Sequence, residues 1–140
     1  MSFDADQLNQ AIRTQGYKLT LPRRAVLDVV AAMRESLSPA EIHQRARRRY
    51  PRLGLVTVYR TLDILVEAGV LRRMHTDDGC HSYALTQATH GHHLICSRCN
   101  QVIEFDGCDL NDLFKSVARK TGFSIEGHWL EVFGRCPNCQ

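Results

Sequence analysis

The sequence predicts an α+β chain in two units, helices closed by a hairpin and then a small β-β-α-β unit. Apolar residues recur at helical spacing as far as Ala68 and again from Leu110 to Ala118, with strand-like stretches around the latter. Two Cys-x-x-Cys pairs, Cys96/Cys99 and Cys136/Cys139, stand far apart in the second half. Charge also divides the chain: thirteen Lys and Arg oppose seven Asp and Glu through Arg73, and five oppose eight beyond it.

Asp4 to Gln15 reads as the first helix, with Leu8, Ala11 and Ile12 on one side and Gly16 stopping it. Thr20 caps the second, with Pro22 in its first turn and Ala25, Val26, Val29, Val30 and Met33 as its stripe. Ser38, Pro39 and Glu41 start a third, close to a capping box, which runs to about Tyr50 and ends at Pro51. The fourth spans Thr57 to Ala68, with Leu62, Leu65 and Val66 as its stripe, Tyr59, Arg60 and Thr61 off it, and Gly69 closing it. Val70 to Met74 and Ser82 to Leu85 read as strands around the turn Asp77-Asp78-Gly79. Helices followed by such a hairpin make a winged helix-turn-helix, expected over residues 1–85, with the fourth helix presenting its N-terminal residues to base edges.

Residues 86–90 read as a hinge and 91–140 as a dimerisation and metal-binding unit. Leu94 to Phe105 is a strand pair turned at the first Cys-x-x-Cys, and Phe123 to Phe133 alternates as a strand. Between them Asp109 to Lys120 carries Leu110, Leu113, Phe114, Val117 and Ala118 at helical spacing. So small a unit leaves a sheet edge and a helix face to cover, so a homodimer is expected.

No apolar run reaches the roughly 20 residues that span a bilayer, and MSFDADQLNQ lacks the features of a signal peptide, so a cytoplasmic protein without a membrane is expected. Six cysteines in a reducing compartment argue for metal rather than disulfides. Four thiolates in two such pairs make a closed tetrahedral zinc site, and the histidines His90, His92 and His93 just before the first pair suggest a second site. The basic first unit calls for a polyanion, and nucleic acid is the one expected. The run Arg45, Arg47, Arg48 and Arg49 reads equally as a solvated face.

With GYKLTLPRRAVL, SPAEIH, LVTVYRTLDILVEAGVL, HGHHLICSRC and GHWLEVFGRCPNCQ, the chain resembles the ferric uptake regulator superfamily over nearly its whole length. The resemblance implies a non-enzymatic, dimeric repressor that closes onto a palindromic double-stranded DNA operator when a regulatory metal fills a site near the hinge. It also implies that Cys96, Cys99, Cys136 and Cys139 hold structural zinc. Tyr59 and Arg60 match the recognition-helix pair that meets bases and backbone, with Thr57 beside them; Lys18 matches a minor-groove lysine, and Arg23 is expected on phosphate.

His90, His92 and His128 align with one regulatory site, whose glutamate position reads Asn111, leaving Asp109 or Asp112 as substitutes. His93 and Glu104 align with a second, whose other positions read Ser36, Ala84 and Gly91. Cys80 and His81 are the expected replacement donors, assisted by His75, while Cys108 reads as packing. A histidine- and cysteine-rich donor set favours zinc as the regulatory ion over iron or manganese, as in a zinc-uptake-regulator-like member. The alternatives are an iron-responsive or peroxide-sensing regulator of the same superfamily and, remotely, a zinc hydrolase using the histidine cluster with Glu104 as base.

Overall fold

The computed structural model describes residues 3–75, 80–86 and 92–140. Asp4 accepts from the Gln7 backbone N–H while the Gln7 side chain accepts from Asp4, a capping box that starts α1, Ala5–Thr14. Thr20 Oγ1 accepts from Arg23 N–H at the start of α2, Leu21–Ala31, and Pro22 sits in the first turn, where its missing donor costs nothing. The Ser38/Glu41 capping box begins α3, Pro39–Ala46. This helix ends before the expected Tyr50. Residues 47–49 turn instead, Arg47 Nε donates to the Pro51 carbonyl, and the residue before a proline is driven out of the helical region.

α4, Leu55–Glu67, starts at Leu55 rather than Thr57, behind Gly54. Thr61, expected on the polar side, is buried; its hydroxyl donates to the Thr57 carbonyl at 2.7 Å, so its polarity is satisfied within the helix. Gly69 at φ +73° reverses the chain in the left-handed region, where a Cβ is penalised. It leads into β1, Leu71–His75, antiparallel to β2, His81–Leu85, with Arg72 opposite Ala84 and His75 opposite His81. The expected turn Asp77-Asp78-Gly79 lies outside the described residues. Tyr83 is buried and exchanges both backbone hydrogen bonds with Leu37, which fastens the hairpin to the stretch between α2 and α3. Leu8, Ile12, Val26, Val30, Ile42, Leu62, Leu65 and Leu71 belong to one apolar core.

In the second unit β3, His92–Cys96, is central, antiparallel to β4, Val102–Phe105, and parallel to β5, Glu131–Gly134. The strand expected from Phe123 shrinks to β5. β3 as described supplies ladder partners only from His93 onward, and without partners the preceding alternating residues form no strand. α5, Asn111–Thr121, fully buries none of its residues. The apolar cluster here is small, and two of its members, Met74 and Ala84, come from the hairpin, packing on Ile95 and Val102. Backbone also joins the units: Ser36 N–H donates to the Asn100 carbonyl at 3.2 Å, and Glu35 bridges Gln101. Among the described residues no helix is long and apolar enough to cross a membrane.

Candidate metal centres and nucleic-acid interface

Side chains alternate across a strand, so consecutive histidines on β3 face opposite sides of the sheet. His93 lies in register with Glu104 on β4 and Glu131 on β5, a carboxylate–imidazole–carboxylate row on the face that meets the first unit. His92 takes the other face, where Phe105, its partner in register, packs at 5.5 Å between ring centroids. Each face carries its own chemistry.

The sulfurs of Cys96, Cys99, Cys136 and Cys139 lie within 4.8 Å of one another. None of the six cysteines is in a disulfide. Cys99 and Cys136 are 3.7 Å apart, against about 3.8 Å for the edge of a zinc–thiolate tetrahedron. The turns that shape the two knuckles are closed by Asn100 N–H to the Cys96 carbonyl and Cys139 N–H to the Cys136 carbonyl, with Asn100 at φ 60°. The Cys136 backbone N–H, 3.4 Å from Cys96 Sγ, leads the backbone donors that pull that thiol down to about 6. Its neighbours go the other way. Sharing with Cys136 is the main cause that pushes Cys139 up to about 12; at Cys99 the Gln101 N–H lowers, but Cys96, burial and Cys136 together raise. Four sulfurs this close ionise together only around a cation, and the donor set fits zinc.

The second group is His92, Cys108 and His128, whose ligand atoms also lie within 4.8 Å of one another. Cys108 Sγ is 3.2 Å from His128 Nε2, near the roughly 3.6 Å edge of a mixed nitrogen–sulfur tetrahedron. The His92 and His128 rings stack at 5.1 Å, and Phe114 on α5 packs at 4.6 Å from His128. Gly107, at φ +82°, turns the chain just before Cys108. Cys108, read from sequence as packing, thus stands among the potential ligands of this group. The expected substitutes do not join the group: Asp109 and Asp112 are exposed, and Asn111 donates to Asp109. His90 lies outside the described residues.

On the opposite face His93 and Glu104 are neighbours, as a shared site requires, but the guanidinium of Arg72 stands against His93. Arg72 Nη1 is 3.0 Å from His93 Nδ1, and Thr86 Oγ1 donates to Glu104 Oε1 at 2.9 Å. Burial and then the Arg72 charge hold His93 below the ordinary histidine value, against the pull of Glu104. That guanidinium charge opposes a second cation at the same place. Cys80 and His81, the expected replacement donors, lie elsewhere on the hairpin. His81 pairs with His75 at the outer end of the hairpin, rings 5.2 Å apart, and neither Cys80 nor His81 belongs to either donor group.

On the first unit Tyr59 and Arg60 are exposed on the opening turns of α4, and Thr57 is half-buried beside them. Leu55 and Val56 add an exposed apolar edge. No side chain caps Gly54, so the positive end of the helix dipole is open to an anion. Lys18 is exposed, while Arg23 stacks 5.3 Å over Tyr17 and donates to the Lys18 carbonyl at 2.6 Å, bracing the turn that presents Lys18. The arginine run is largely internal bracing: Arg45 pairs with Glu35 and Arg49 with Asp28, each at 3.0 Å.

A model of the ferric uptake regulator family matches residues 14–133. The chain belongs to that family. Its members are metal-dependent, DNA-binding transcription regulators, which is the function class to which this chain is assigned. It is 35% identical over 133 residues to a ferric uptake regulation protein of Bordetella parapertussis, covering 92% of this chain and 94% of that one. It is also 35% identical over 125 residues to a zinc uptake regulation protein of Mycobacterium tuberculosis, covering 89% and 96%. A zinc uptake regulator solved with zinc and DNA superposes with a TM-score of 0.74 at 27% identity, covering 96% of this chain and 91% of that one.

Glu104, the base of the hydrolase reading, lies on the opposite face of the sheet from His92, Cys108 and His128 and accepts from Thr86. The His93 contact carries a pH prediction. Its folded value is depressed, so its contribution to stability is complete above about 6.5, the unfolded value, and is lost as pH falls below it. Urea midpoints are expected to drop between pH 7 and 5.5. His93→Gln, still able to accept from Arg72, is expected to flatten that slope, and an unchanged slope would assign it to other groups.

Proposed function

We propose that the chain is a zinc-responsive repressor that binds a palindromic DNA operator as a homodimer, with His92, Cys108 and His128 sensing the ion and His90 completing the set. The observation that carries this reading is the thiolate donor: Cys108 lies 3.2 Å from His128 Nε2 within the histidine group. Sulfur and imidazole favour zinc, whereas manganese favours oxygen. A bound ion supplies a tie between β3, the loop before α5 and the segment entering β5. His92 fixes one end of that tie on the central strand, which on its other face contacts the DNA-binding unit through His93. A tenfold gain in DNA affinity needs only about 1.4 kcal/mol of preference for the closed arrangement.

Cys96, Cys99, Cys136 and Cys139 are proposed as the structural zinc ligands. Tyr59, Arg60 and Thr57 are proposed to read the major groove, and Lys18, braced by Arg23, to engage the backbone and minor groove. The homodimer is supported by the exposed apolar row Ile103–Leu94–Val132 across the sheet and by Leu113 and Val117 on α5, surface that a lone chain leaves in water.

Selection from a random duplex pool at fixed salt, in parallel with zinc, iron(II), manganese and chelator, tests the reading. A palindrome enriched with zinc alone is expected. Enrichment with iron alone would move the chain to the iron-responsive or peroxide-sensing branch, and none under any metal would sink the regulator reading. On the selected duplex, Arg60→Ala is expected to cost about 1–3 kcal/mol of affinity with zinc content and melting unchanged. Parental affinity would mean that α4 docks by another face.

A further inference from the structure

The strongest unassigned feature is the cation buried between the two units. We infer that Arg72 is the resident cation of the Glu104–His93–Glu131 row, a guanidinium standing where these donors would otherwise hold a divalent metal ion, so that the chain closes this joint by itself. The inference goes beyond the zinc-sensing reading, which concerns the other face of the sheet.

The row is formed by register: Glu104 and Glu131 flank His93 directly across β4 and β5, so all three side chains share a face. One imidazole and two carboxylates are a common donor set for a divalent ion. Arg72 reaches it from β1 of the other unit. Its partner in the hairpin, Ala84, is small, and Arg72 itself is only 9% exposed. Nη1 lies 3.0 Å from His93 Nδ1, where the imidazole accepts, and Cζ sits 4.0 Å over the Trp129 ring. Both glutamates favour the charged guanidinium, opposing the cost of burying it. The cation thus contacts the imidazole and the indole face and feels the charge of a carboxylate on each flanking strand. A guanidinium remains charged at any physiological pH and does not dissociate, unlike an ion in exchange with solvent. The joint on this face is therefore independent of metal supply, and metal response is left to the His92 face.

Trp129 is the chain's one tryptophan, so its emission reports the stack directly. The test uses the full-length, zinc-loaded protein titrated with cobalt(II), counting equivalents per chain by absorbance and following Trp129 emission. Arg72→Met keeps the apolar stem and removes the charge. It is expected to shift Trp129 emission and to take up one more divalent equivalent than the parent, an equivalent lost again when Glu104→Gln is added. Arg72→Lys, which keeps a cation, is expected to gain none. An unchanged count and emission in folded Arg72→Met, or an added equivalent in Arg72→Lys, would overturn the assignment. If Arg72→Met fails to fold, the parent decides: its cobalt count is expected to be unaffected by Glu104→Gln, and a parental equivalent that disappears in Glu104→Gln would show a metal ion where Arg72 is placed.

Discussion

Cys136→Ser is expected to remove one zinc per chain and to unfold the second unit while α1–α4 stay folded. Two contributions of very different size decide this. The second unit's own apolar cluster is Ile95 and Val102 with Met74 and Ala84 from the hairpin, and burying one such side chain is worth about 1.5–3 kcal/mol. Structural zinc contributes an apparent 10–16 kcal/mol or so in small domains at neutral pH. α5 adds no fully buried residue, and β3 to β5 are four or five residues each. Without the ion that joins the β3–β4 turn to the end of β5, conformational entropy wins. The first unit has its separate core of Leu8, Ile12, Val26, Leu62 and Leu65 and is expected to stay folded without the ion. Elemental analysis and hydrogen exchange check the result together. Zinc retained, with β3 amides as protected as in the parent, would show that the fold does not depend on these thiolates. Loss of the second unit also removes the surface proposed for the dimer, so affinity for a palindrome should collapse to that of one half-site.

Local structure was legible wherever one side chain decides it. Asp4, Thr20 and Ser38 cap helices where their spacing to Gln7, Arg23 and Glu41 predicts, because a cap is an interaction three residues long. The pairing of the two Cys-x-x-Cys motifs was legible for a similar reason, since thiolates at that spacing have few other uses in a reducing compartment. Strand extent was not. Residues from Phe123 alternate as well as any strand, yet a strand exists only where a neighbour supplies hydrogen bonds, and among the described residues β3 pairs with this segment only from His93. The histidine group was legible only in part. His92 and His128 lie together, but the third potential ligand depends on how the chain turns at Gly107 before α5, which puts Cys108 beside the histidines and leaves Asp109 and Asp112 outside the group. Arg72 escaped notice because its sequence neighbours are the basic residue Arg73 and the strand. Register across the hairpin and the sheet, which sequence periodicity does not encode, brings it onto His93.

Cys108→Ser separates donor from packing residue. The half-buried thiol is replaced by a hydroxyl of nearly the same shape, so melting is expected to change little, while zinc response is expected to fail. Removing a ligand should shift the zinc midpoint of DNA binding by more than the 10–100-fold or so that losing a supporting hydrogen bond costs. Selectivity should move as well. Exchanging sulfur for oxygen hardens the site, so the zinc-over-manganese preference is expected to narrow. Cys80→Ser serves as the comparison, because Cys80 lies at the outer end of the hairpin, outside the His92 group, and its replacement is expected to leave the zinc midpoint where it was. Fluorescence anisotropy of the selected duplex, titrated with buffered zinc and manganese, reads both variants. A Cys108→Ser midpoint within about threefold of the parent, roughly 0.6 kcal/mol, would return Cys108 to packing and leave sensing to histidines alone. A shifted midpoint in Cys80→Ser would instead move the sensor to the wing, where His75 and His81 face each other. Because zinc held by the proposed His92 group would tie β3 to the α5 loop, a true loss at Cys108 should also raise exchange at Phe114 and His128 in the presence of zinc, and no such change should follow from Cys80.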